Sequence, residues 1–384
     1  MNLLDRHIFR NILATALAAV ALFAFLFMAE NIIRDLLAKL LTGQLPFITF
    51  GRLVLLLVPF ALSYALPLGM LTGALLTLGR LSSDSEITAM RAAGLSVPRI
   101  ARPALILGVL GAALGLRVNF ESMPWAKLQY ERELATAVRS NPFSYIKQKT
   151  FIREFPGYVI YIGSKESDSK EGSAIRDIWI WQLDAEKRVY RFIRAESGRV
   201  AYDESANEFI VTLSNAREEE HDRRAPDDYA QALRISSLGE VDPVRLSLAR
   251  YFGSNTVHQK LQWMTYGELK AEKARLEAEP VKKGTERQHA REVMSVSLTI
   301  QDKINWAIAI FSFTLVGVPL GSRVSRKETS ANLVVAVLLA LAYYLFIVVV
   351  GWLNPEFHPD ILLWIPNIAI LALGTWLLGR VDRA

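Results

Sequence analysis

No cysteine occurs among the 384 residues. Disulfides, thiol nucleophiles and cysteine-based metal sites are therefore excluded. The five histidines (7, 221, 258, 289 and 358) are scattered and lack metal-ligand spacing. The chain lacks a phosphate-binding loop of the form G-x-x-x-x-G-K followed by Ser or Thr, so it is not expected to hydrolyse ATP itself. It also lacks the G-x-S-x-G turn of a nucleophilic serine. Acidic side chains are almost missing from the centres of the long apolar runs, which weighs against a proton-coupled carrier. Catalysis, a metal or an organic cofactor is not expected, and the energy for any transport would come from a partner.

Apolar residues are abundant. They make up 52% of the chain, with a mean hydropathy of +0.23, while 21% of residues are charged. That mixture suggests membrane spans together with a polar domain. The net charge of +6 is read as topological, with basic residues collecting on one membrane side, rather than as a nucleic-acid footprint. A span needs about 20 apolar residues. Asn11–Ala29, Leu53–Gly79, Ile304–Ser322, Thr329–Pro355 and Ile361–Gly379 carry no charge. The first run is too long for the core of a cleavable signal peptide and reads as a retained span. Pro103–Leu116 is shorter, but it spans if extended over Ile100–Phe120, with Arg102 and Arg117 snorkelling to the two surfaces.

Charge asymmetry supports six spans. With the N-terminus cytoplasmic, the inner side carries Arg6, Arg10, Arg80, Arg91, Arg99, Arg102, Arg323, Arg326, Lys327, Arg380 and Arg383. The short outer segments carry only Arg34, Lys39 and Arg52. Between spans three and four lies a long exported segment of short strand-like runs, "YVIYIG" (158–163), "DIWIWQL" (177–183), "RVYRFI" (188–193) and "EFIVTL" (208–213), separated by turn-forming clusters such as "DAEK". These predict a β-sandwich or jelly-roll-like domain, with an apolar interior built from the aromatic and β-branched strand residues. A polar helix over about 265–279 reads as a solvated connector. The expected division is 1–120 (spans one to three), 121–262 (β domain), 263–298 (connector) and 299–384 (spans four to six).

The loop between spans two and three reads "SSDSEITAMRAAGLS" (82–96). It predicts a short helix over 83–95. Ser83 and Glu86 fit a capping box. Asp84 and Glu86 suit the positive end of the helix dipole. Gly94 supplies a left-handed stop, and Pro98 prevents continuation. Ile87, Met90 and Gly94 form one apolar stripe and Arg91 points elsewhere. Ser85 completes the acidic opening turn. Two readings stand: a helix lying on headgroups, or one docking into a cytoplasmic partner. The acidic start and the small residues of "AMRAAG" favour docking.

This stretch is similar to the coupling helix of the lipopolysaccharide-export permeases, the LptF/LptG family. "FTLVGVPLGSRVSRKETS" (313–330) resembles the family's fourth span and following loop, and the three-plus-three arrangement around an exported β domain agrees. The connector around 265–283 departs from the enterobacterial pattern. The resemblance implies a polytopic α-helical protein of the inner membrane, with six transmembrane helices, both termini cytoplasmic and an inserted periplasmic β-jelly-roll-like domain. It implies an ABC-transporter permease subunit that extracts lipopolysaccharide and passes it to a periplasmic bridge. The implied partners are an LptB-like ATPase dimer, a paralogous LptF/LptG permease and an LptC-like protein. Arg34 matches a basic position in the family's first span. With Lys39 and Arg52 it is assigned to lipid phosphates, the competing reading being a snorkelling anchor. Rival functions are a different mechanotransmitting ABC permease and a non-transporting membrane scaffold.

Overall fold

In the computed structural model, six helices are long and apolar enough to cross a membrane: Leu3–Met28, Phe47–Ser83, Val97–Ala137, Glu286–Ser322, Val334–Gly351 and Pro359–Asp382, here spans one to six. The described residues are 3–29, 34–41, 43, 45–140, 143, 146, 148–153, 155–166, 173–184, 186–203, 206, 208–221, 234–247, 260–279, 286–322, 329–353 and 357–383. The inner cations Arg323, Arg326 and Lys327 fall outside them. The chain forms two compact units. One comprises Met1–Asp35, Val54–Gln129 and Gln259–Ala384; the other comprises Leu36–Leu53 and Tyr130–His258.

In the first unit, span four is the hub. Its most apolar window is 72% buried inside the protein, against 17% for span five. It packs against spans two, three and six. Spans one and two meet through small residues. A Cβ on Gly73 would sit 2.6 Å from the Ala16 Cα, and one on Gly69 would sit 2.8 Å from the Val20 backbone nitrogen. Gly69 and Gly73 thus form a G-x-x-x-G ridge that lets two backbones approach closely. Polar side chains bind the other spans together. Asn305 of span four donates to the Leu363 carbonyl (2.7 Å), and Asn367 of span six donates to the Asn305 carbonyl (2.9 Å). With hydrocarbon as solvent, such groups find partners only in neighbouring helices.

Two helices run further than the apolar pattern predicts. Span three does not end near Phe120. It passes through a π-helical turn, Val118–Ser122, and continues as helix Met123–Ser140. Span four begins at Glu286, well before the apolar run. The connector helix, Tyr266–Ala278, opens with a capping box. Thr265 accepts from the Glu268 backbone N–H, and Glu268 accepts from that of Thr265. The connector helix is not solvated all round. Leu269 and Leu276 are buried with Val296 of span four.

The inserted domain is antiparallel β-structure, and its connectivity departs from a jelly roll. Strands β1 (Phe151–Ile152), β2 (Tyr158–Lys165), β3 (Ser173–Leu183), β4 (Val189–Asp203), β5 (Glu208–Glu220) and β6 (Arg234–Ser247) pair in consecutive order. Jelly-roll crossovers do not occur among the described strands, because turns join each strand to the next. Between β3 and β4 the Asp184 carboxylate accepts from the backbone N–H groups of Arg188 (2.8 Å) and Glu186 (2.9 Å). The Arg188 N–H is the main cause that holds this carboxyl below its ordinary pKa, working against desolvation.

Strand alternation also corrects which residues form the interior. The isoleucines do so: Ile160, Ile162, Ile178, Ile180 and Ile193 are at most 3% exposed. The aromatics alternate to the other face. There Tyr161, Trp179, Trp181, Phe192 and Phe151 form a cross-strand ladder with ring centroids 5.2–6.2 Å apart. Such pairs stabilise a sheet by about 0.5–1.5 kcal/mol each. The β-branched residues fill the core because they pack densely on a pleated surface, while the rings cover the half-exposed side.

Candidate functional site

The loop helix occupies Glu86–Ala92, shorter than the predicted 83–95. The capping box is not formed. Ser83 is the last residue of the span-two helix, and its hydroxyl donates to the Arg80 carbonyl at 2.9 Å. The N-cap is Ser85, left-handed at φ 62°, with no side-chain cap bond. The physical reason is continuity. Extending an existing helix adds one backbone bond per residue, whereas a new helix must first be nucleated. The "SSDS" segment therefore closes span two: the Asp84 and Ser85 N–H groups donate to the Arg80 and Ser82 carbonyls. Asp84 lies 3.8 Å from Arg80 at an exposed position, a weak pair.

Glu86 stands in the first turn, exposed, where the dipole favours it. Gly94 does terminate the helix, at φ 87°. Leu95 N–H donates to the Met90 carbonyl and Gly94 N–H to that of Arg91, a Schellman pattern. Pro98 falls in the first turn of the next helix, Val97–Arg117. The apolar stripe does not face a partner. Ile87 and Met90 are buried, and the helix packs against span two. The exposed face is Glu86, Ala89, Arg91, Ala92 and Gly94.

Three long-range contacts fix this loop. The Ser82 hydroxyl donates to the Ser322 carbonyl at the end of span four, 3.0 Å away. The Val97 N–H donates to Asp382 of span six at 2.9 Å, so a remote carboxylate caps span three where Ser96 provides no side-chain cap. Arg99 lies 3.6 Å from Asp5 of span one. A push on the loop helix is thus shared with spans one, two, four and six. Sequence reasoning missed Asp382 and Ser322, because nothing local marks a cap supplied from 285 residues away.

A second feature lies within the same unit. Spans one, two, four and five enclose a cavity of about 580 Å³. Phe23, Phe27, Leu68, Leu76, Phe313 and Leu341 are among its walls, with Tyr64 and Trp306 at one end. This is the size and polarity of a site for an acyl chain. Of the three cations assigned to lipid phosphates, Arg34 opens the helix Arg34–Leu41, and its side chain lies outside the described residues. Lys39 sits in the last turn of that helix. Arg52 stands 3.7 Å from Glu133, with side-chain exposures of 63% and 34%, so a carboxylate already competes for it.

The cluster that sequence reading overlooked is "QDKINW" at 301–306, just ahead of the apolar run. Lys303 is 6% exposed. Its ammonium donates to the carbonyls of Asn119 and Met264, both at 2.9 Å. The Asn119 amide donates to the Lys303 carbonyl (2.9 Å) and its Oδ1 accepts from Ser63 (2.6 Å). One cation thereby ties spans two, three and four and the returning connector. Two adjacent charged residues before an uncharged run were the available signal, and they read as a surface boundary.

Comparison with known proteins agrees with this geometry. The family model described as "Lipopolysaccharide export system permease LptF/LptG" matches residues 6–380. The lipopolysaccharide export system permease proteins LptF of Escherichia coli (strain K12), Escherichia coli O157:H7 and Shigella flexneri are each 29% identical over 179 residues, 46% of this chain. The chain spans about half the length, 47%, of these curated relatives. With the family model covering nearly all of six spans and the inserted β domain, the chain belongs to the LptF/LptG family of lipopolysaccharide export system permeases.

Proposed function

We propose that this chain is one permease subunit of an ABC transporter that extracts lipopolysaccharide from the inner membrane and passes it to a periplasmic bridge. In this reading an LptB-like ATPase dimer docks on the Glu86–Ala92 helix and supplies the energy. A paralogous LptF/LptG permease completes the membrane path, and an LptC-like protein receives the lipid beside the β domain, which lies in the periplasm with both termini cytoplasmic. The observation that carries the reading is the loop helix itself. Its apolar side is spent on span two, its ends are tied to spans four and six, and a face of small side chains around Glu86 is left for a partner. The apolar cavity supports an amphiphilic cargo.

Co-purification of the ATPase, followed by its turnover in lipid, tests this. Glu86→Lys opposes the helix dipole and reverses the charge offered to a basic groove, and it should reduce complex yield or coupled turnover at least tenfold. Glu86→Gln should be mild. Ala92→Leu should obstruct docking by bulk alone. Gly94→Leu is a poorer probe, because a leucine at φ 87° strains the loop whatever docks there. Normal yield and turnover in both Glu86→Lys and Ala92→Leu would return the helix to a headgroup-level spacer and favour a scaffold. Normal turnover without lipopolysaccharide stimulation would favour a different mechanotransmitting permease.

A further inference from the structure

Tyr64 and Trp306 each line two spaces. One is the apolar cavity. The other is a polar pocket of about 50 Å³, also lined by Ser63, Asn119, Gln262, Thr299 and Asp302. The two spaces follow one another along the helices. On span four, Thr299 and Asp302 precede Trp306, and Phe313 of the apolar cavity follows it. On span two, Ser63 precedes Tyr64, and Leu68 and Leu76 follow. At 1.5 Å per residue the pair forms a continuous apolar-then-polar sequence over about 20 Å.

Most polar groups of the pocket are committed. The Ser63 hydroxyl donates to Asn119, the Asn119 amide to the Lys303 carbonyl, and the Lys303 ammonium to two carbonyls. The Trp306 indole donates to the Asp302 carboxyl group. The exception is Asp302 Oδ1, which is sealed from solvent and has no hydrogen-bond partner. A buried acceptor without a donor costs free energy that an arriving donor restores. A phosphate is the wrong complement, because the carboxylate repels it. Fifty cubic ångströms is room for a hydroxyl or an amide with its carbon, not for a headgroup.

We propose that this pocket receives a hydrogen-bond donor at the head of an acyl chain lying in the apolar cavity, a hydroxyl or an amide N–H, and that Asp302 Oδ1 accepts from it. The proposal rests on the cavity holding an amphiphile, as the functional reading requires. It makes Asp302 a specificity residue. Ester-linked diacyl phospholipids carry no donor at that position, and a site built around an acceptor rejects a ligand that leaves it empty.

The test is equilibrium competition on the full-length chain in nanodiscs. The probes are four synthetic N- or O-acyl glucosamine lipids, with the acyl linkage amide or ester and carbon 3 of the chain bearing a hydroxyl or only hydrogen. Wild type should prefer a donor-bearing lipid by about ten- to a hundredfold over the lipid with neither donor. The hydroxyl and amide arms distinguish the two sources of the donor. Asp302→Leu should erase the preference while leaving affinity for the donor-free lipid within about twofold. Asp302→Asn, which keeps an acceptor oxygen and the shape, should retain part of it. Equal binding of all four lipids to wild type overturns the proposal and leaves the cavity reading intact. Binding of none of them overturns both. A preference unchanged in Asp302→Leu assigns the selectivity elsewhere and also overturns it.

Discussion

Lys303→Met is expected to destabilise the transmembrane unit by about 3–5 kcal/mol, a loss of the size seen when one partner of a buried charged cluster is removed. Methionine matches the length of the stem but removes the donor. The carbonyls of Asn119 and Met264 then lose their hydrogen bonds, and the Asp302 carboxyl group loses its neighbouring positive charge. Neither carbonyl is free to find water, because Lys303 is 6% exposed. Lys303→Arg should be intermediate: it keeps the charge but asks a bulkier fork to reach the same two oxygens. Thermal unfolding in detergent, followed at fixed lipid, reads the difference. A midpoint within a degree of wild type for Lys303→Met would show that the clamp is not what holds spans three and four to the connector.

Gly73→Leu should be at least as damaging, by steric means. Any Cβ at this position meets the Cα, Cβ and nitrogen of Ala16 at 2.6–2.8 Å, and a backbone cannot swing aside as a flexible side chain does. Spans one and two must separate, which unpacks Ile12 and Ala16 on one side and Leu75 and Leu78 on the other, all at most 2% exposed. Overpacking a dense interior costs about 1–3 kcal/mol even where neighbours adjust. Here none can, so monodisperse protein should not be recovered. Gly73→Ala should be recoverable but less stable. The control is Gly51→Leu, where an added Cβ has nothing within 4 Å and stability should be unchanged. Normal size-exclusion behaviour of Gly73→Leu would contradict the close approach of the two helices.

Both effects arise at positions that carry little local signal. Gly73 is one of 22 glycines, and its importance lies in Ala16, which is 57 positions away in the chain. Lys303 borders an apolar run, where a cation ordinarily marks the water interface. It is buried because span four extends back to Glu286 and the connector returns across it. The "SSDSEIT" stretch shows the same limit from another side. Its residues do form a helix stop and a helix start, but assigning Ser83 to one or the other depends on where the span-two hydrogen-bond ladder ends.

The number of spans and the existence of the inserted β domain were legible in the chain by itself. Run length against bilayer thickness and period-two alternation are local properties, set within about twenty consecutive residues. The Gly94 stop and the exposed Arg91 belong with them. The family resemblance carried by 82–96 and 313–330 was equally readable, and the family match over 6–380 bears it out. Tertiary structure alone decided which strand face forms the core, which buried groups find partners and which helix owns each cap. A one-residue change of register exchanges isoleucine for tryptophan in the interior. A buried polar atom is satisfied or orphaned by residues remote in sequence, as Asp382 satisfies Val97 and as Asp302 Oδ1 remains without a donor. These properties belong to pairs of distant residues, and a pair is specified only when packing brings its members together.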